Sequence, residues 1–69
     1  MDEDKAAAVA DALELLHLNQ IALRAGLEEV STWIRQRGSV DVHENTMAAV
    51  YTLDINARAI TESIERLRR

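Results

Sequence analysis

From Val9 onward the chain sets its apolar residues at alternating steps of four and three: Val9, Leu13, Leu16, Gln20, Leu23, Leu27, Val30 and Ile34. Seven of these eight are apolar, where a chain that is 48% hydrophobic would place about four. Such spacing, sustained over more than three heptads, aligns the side chains along one stripe of an α-helix; a strand would alternate every second residue. A second stripe follows the same rule at Thr46, Val50, Leu53, Ala57, Ile60, Ile64 and Leu67, with Thr46 its only polar member. The fold class expected is all-α: an antiparallel two-helix hairpin, a coiled coil in its spacing, that dimerises into a four-helix bundle.

Composition agrees with helices and excludes much else. There is no Pro, Phe or Cys, and Gly occurs only at 26 and 38, so neither a sheet rich in aromatic residues nor a disulfide scaffold is available. Residues 1–69 are expected to form one helical-hairpin domain. A net charge of -4 disfavours nucleic acid and anionic membrane surfaces as partners. The start Met1-Asp2-Glu3-Asp4-Lys5 carries no basic, apolar secretory pattern, and no run approaches the roughly 18 apolar residues of a membrane span. The expected location is the cytoplasm.

Helix boundaries follow from end chemistry. Asp2, Glu3 and Asp4 sit where a helix macrodipole is positive, so the first helix is expected from about residue 3 to about residue 37. Arg35, Arg37 and Gly38 close it. The turn is expected at 38–41, with Asp41 as N-cap and Glu44 at the capping-box spacing, and the second helix from about 42 to 68. Arg66, Arg68 and Arg69 complement its C-terminal carbonyls, which explains them without an RNA or phosphate hook.

So short a connection makes the helices antiparallel. Pairing residues whose numbers sum to 80 aligns Ile34 with Thr46, Val30 with Val50, Leu27 with Leu53, Leu23 with Ala57, Gln20 with Ile60, Leu16 with Ile64 and Leu13 with Leu67. Arg24 then falls beside Asp54 on one flank. Gln20, the single polar residue of the long stripe, is expected to fix register or partner orientation at some cost in stability.

The flanks differ in charge. One carries Glu14, His17, Arg24, Glu28 and Arg35 with Asp54, Arg58, Glu62 and Glu65. The other carries Ala8, Ala12, Leu15, Asn19, Ala22, Gly26 and Trp33 with Ala49, Thr52, Asn56, Ala59 and Ser63, and not one of these is charged. This uncharged flank is the expected dimer interface, with Gly26 admitting a close helix and Trp33 capping the bundle end. Further apolar residues, Leu18, Ile21 and Ala25 on the first helix and Tyr51 and Ile55 on the second, exceed what the seams require and suit a protein partner.

Catalytic chemistry finds no foothold. No Cys, no Ser or Thr beside a His and an acid, and no Gly-rich loop is present, so no catalytic, cofactor-binding or metal residues are assigned and no enzyme activity is expected. Glu14 and His17 have the E-x-x-H spacing of di-iron bundles, but the wheel turns both away from the stripe, where ligands cannot converge. His17 and His43 are expected to be solvated.

The architecture so read, a short acidic hairpin that pairs into a four-helix bundle, is similar in length and heptad layout to the Rop plasmid-copy-number regulators. That resemblance implies RNA-loop binding as an alternative, for which Arg58, Arg66, Arg68 and Arg69 would be the basic groups. A metal-binding bundle is a second alternative. The reading preferred on the residues is a small non-enzymatic interaction module: a homodimer docking on a protein partner as an adaptor, chaperone, antitoxin or inhibitor does.

Overall fold

A computed structural model describes residues 1–69. It holds two helices and no strand: α1, Glu3–Gln36, and α2, Val40–Arg68. They lie antiparallel in a hairpin 53 Å long, 15 Å wide and 11 Å thick.

The ends of α1 obey the expected chemistry. Asp2 is the N-cap, its carboxylate accepting the Lys5 backbone N–H at 2.8 Å, while Glu3 and Asp4 occupy the positive first turn. At the other end the Gly38 N–H donates to the Arg35 carbonyl at 3.0 Å and the Ser39 N–H to the Ile34 carbonyl at 3.2 Å. These two bonds form a Schellman closure, which needs a left-handed residue at Gly38. Its φ is 97°.

This closure shifts the start of α2. Helix 2 begins at Val40, not near 42, with Ser39 in the N-cap position and no side-chain cap bond. The reason is local: the closure leaves the Ser39 carbonyl placed to accept the His43 N–H at 3.1 Å, so winding resumes at once. Asp41 therefore lies within the first turn, where it complements the macrodipole rather than capping it.

The contact between the helices departs from expectation on α1. Four residues are buried: Ala10 and Ser31 on α1, Val50 and Ile64 on α2. On α2 the expected stripe faces its neighbour except at Ile60: Val50 and Ile64 are buried and Thr46, Leu53, Ala57 and Leu67 half-buried, while Ile60 is exposed. On α1 the expected seam of Val9, Leu13, Leu16, Gln20, Leu23, Leu27 and Val30 stays exposed, and only Ile34 is half-buried. The line that faces α2 is Ala10, His17, Arg24 and Ser31, one residue further on, a rotation of about 100°. Small and polar residues hold this line because α2 presents His43, Asp54 and Thr61, whose polar atoms find partners there. Leucines would have left those groups desolvated and unpaired.

A Cβ added at Gly38 would meet no atom within 4 Å, so replacing it tests backbone conformation alone. Gly38→Ala is expected to destabilise the fold by about 1–2 kcal/mol, read as a shifted midpoint in urea denaturation followed by circular dichroism.

Candidate functional site

The hairpin has two unlike faces. On one, polar groups bind the helices together in rungs, the two central ones seven residues apart on each helix. Arg24 grips Asp54 with two parallel bonds, Nε to Oδ1 and Nη2 to Oδ2, the latter at 3.0 Å. Its Nη1 also donates to Glu28 at 3.0 Å. Seven residues back on α1 and seven forward on α2, His17 Nε2 meets the Thr61 hydroxyl at 3.3 Å. A further seven forward, Arg68 donates to Asp11 at 2.9 Å and to Glu14 at 2.7 Å. Near the turn, His43 Nδ1 lies 3.0 Å from the Ser31 carbonyl and 2.9 Å from the Ser31 hydroxyl. A carbonyl only accepts, so this nitrogen carries a hydrogen.

The pairing of Arg24 with Asp54 is the one expected. The environment of the histidines is not: both were expected to be solvated, yet both are half-buried between the helices. His17 Nδ1 is buried with no hydrogen-bond partner. The rotation of α1 that exposes the leucines is what carries His17 inward.

The rungs engage several of the candidate residues. Arg68, counted among the basic groups of an RNA surface, is committed to two carboxylates of its own chain. Glu14 is the acceptor in one of those pairs, and no three His, Cys, Asp or Glu side chains converge anywhere. The hydrogen bond from Arg24, opposed by partial burial and aided by the guanidinium charge, holds the Asp54 carboxyl below its ordinary value. Asp54 and Glu28 in turn raise Arg24, and Asp11 and Glu14 raise Arg68.

The opposite face is apolar and open. Leu16, Leu23 and Val30 are 59, 60 and 56% exposed, and Val9, Leu13 and Leu27 flank them. All eleven residues expected at the dimer interface, Ala12, Leu15, Asn19, Ala22, Gly26, Trp33, Ala49, Thr52, Asn56, Ala59 and Ser63, are exposed in the single chain. An open groove of about 670 Å³ runs along this face between Asn19 and Val30, lined by α1 alone. Gly26 lies in it, and a Cβ there would meet nothing within 4 Å. Nothing in the hairpin approaches this glycine, although its place in a helix interior costs about 1 kcal/mol relative to Ala. At the end of the face the Arg37 guanidinium stacks over the Trp33 ring at 4.7 Å.

Reading the stripes alone missed Ser31, His43, His17 and Thr61 as cross-helix partners. A signal for them exists: His17, Arg24 and Ser31 recur every seven residues on α1, as Asp54, Thr61 and Arg68 do on α2. Comparison with known proteins finds no matching family model, no matching curated protein and no matching solved structure. No helix is long and apolar enough to cross a membrane.

A carboxyl held below its ordinary value stabilises the fold above the unfolded pKa of about 3.9, and that contribution is lost as pH falls through the folded value. Acid denaturation between neutral pH and pH of about 2 should therefore lower the stability of the unmodified chain more steeply than that of Asp54→Asn. Equal slopes in urea titrations across that range would show that the Arg24 pair contributes nothing to folding.

Proposed function

We propose that this chain is a small non-enzymatic helical interaction module, working as a homodimer that docks on a protein partner. One observation carries the reading: a continuous uncharged face of exposed leucines and valines on α1, in a hairpin with only four buried residues. An apolar face of that extent on so small a chain marks a protein contact surface. A chain of this size also has too little core by itself, and association supplies the remainder.

Self-association comes first, because the face lacks the charges that would select a foreign partner, while Arg24, Asp54 and Glu28 on the charged side are already paired within the chain. The opposite side keeps Leu18, Ile21, Tyr51 and Ile55 exposed among charged residues, a mixed surface of the kind that selects a second protein. RNA binding in the manner of the Rop regulators has less support. Arg68 is held by Asp11 and Glu14, and twelve acidic residues outnumber eight basic ones.

At micromolar concentration the chain should sediment at twice its mass of 7.7 kDa. Ala22→Glu, placing a carboxylate in the joined face, should abolish the dimer, whereas Glu28→Ala on the charged side should change stability by no more than about 0.5 kcal/mol. A stable, folded monomer of the unmodified chain would overturn the homodimer, and the absence of any stoichiometric partner in native pulldowns would remove the docking role.

A further inference from the structure

The exposed stripe of α1 is symmetric about its own middle. Val9 and Leu16 lie as far before the Asn19–Gln20 step as Val30 and Leu23 lie after it. The groove occupies the later half, from Asn19 to Val30. The earlier half holds Val9, Leu13 and Leu16, all exposed and unpartnered. A two-fold contact requires one patch to fit itself, each half receiving the other.

Resting on the self-association read above, we propose that α1 pairs antiparallel with α1 of a second copy about a two-fold axis at Asn19–Gln20. Leu16 then packs on Leu23 of the second copy, Val9 on Val30, and Leu13 on Leu27. Ala12 meets Gly26, two small residues side by side, so the helices approach closely where the glycine has no neighbour of its own. The two amides lie on the axis. Each carboxamide both donates and accepts, so Asn19 meets its own copy and Gln20 its own, and every polar atom brought inward has a partner. A slip of one heptad would set Gln20 against a leucine and leave the amide unpaired, which is how one polar residue specifies register.

Two further observations favour a second copy of α1 over other occupants. The exposed stripe from Val9 to Val30 runs roughly 32 Å along α1, and the pairing sets its six large apolar side chains, Val9, Leu13, Leu16, Leu23, Leu27 and Val30, against the same six of the second copy. The alternative, α1 lying on α2 of the second copy, would offer the groove little apolar bulk. On this side α2 presents Ile60 and, near the turn, Val42 as its exposed large apolar residues.

The chain has no cysteine, so a single introduced thiol reports proximity. A disulfide needs Cα atoms about 4.4–6.8 Å apart, which the pairing meets on the axis. Asn19→Cys, exposed in the hairpin, should oxidise mainly to a covalent dimer, and Gln20→Cys serves as a second axial position should the first fail to fold. Val30→Cys should not link to its own copy, which lies roughly 30 Å away along the helix. Mixed with Val9→Cys it should. If both axial variants stay unlinked while the reduced proteins sediment as dimers, the pairing is overturned and the interaction module stands. Self-linking of Val30→Cys would show parallel helices and overturn it equally. A chain that sediments as a monomer, its face left for a foreign protein, would overturn both.

Discussion

Two helices side by side touch along a single line, and each can give that line only one strip of its surface. In this chain the strip on α1 is Ala10, His17, Arg24 and Ser31. Everything else follows from that allocation. Because polar and small residues take the line, the rungs to Asp54, Thr61 and His43 can form. The leucine stripe is thereby displaced to a flank. The hairpin is thus joined by groups that set position well and contribute little cohesion, since partly exposed ion pairs are weakened by solvent.

Position and cohesion are consequently divided between two faces. A guanidinium that holds a carboxylate with two parallel bonds fixes both distance and angle, so Arg24 determines how far the helices slide past one another. Apolar contact is indifferent to small slips and scales with area. The face with Leu16, Leu23 and Val30 therefore supplies cohesion only once it is covered. Gly26, idle within one chain, belongs to the same division.

Much of this was legible from residue spacing. The helices, their antiparallel order, the Gly38 stop and the Arg24–Asp54 pair all depend on short-range chemistry or on heptad phase. The rotation of α1 was not, for a physical reason: Leu16 and Arg24 lie on adjoining strips, and either could face a single partner helix. A stripe of leucines reports which side of a helix must be buried. It does not report which neighbour buries it. His17 was misplaced by the same step, because the rotation that frees the leucines turns the polar strip inward; His43, on α2, lies seven residues before the buried Val50 and faces α1 in phase with the stripe of its own helix. The start of α2 slipped for a different reason, as Asp41 has the composition of a cap but the closure at Gly38 had already positioned Ser39.

The turn also governs what the chain cannot become. Ser31 and His43, which occupy equivalent places on the contact line, are twelve residues apart, not a multiple of seven. Were the turn to open and the two helices to fuse, they would form a rod about 100 Å long. Its two strips would then point about 120° apart. No straight neighbouring rod could cover both at once. Exchange of helices between chains, the common hazard of hairpins with short turns, is thus opposed by phase. The three residues between α1 and α2 act as a deliberate misalignment that keeps the folded-back form the one in which both strips are used.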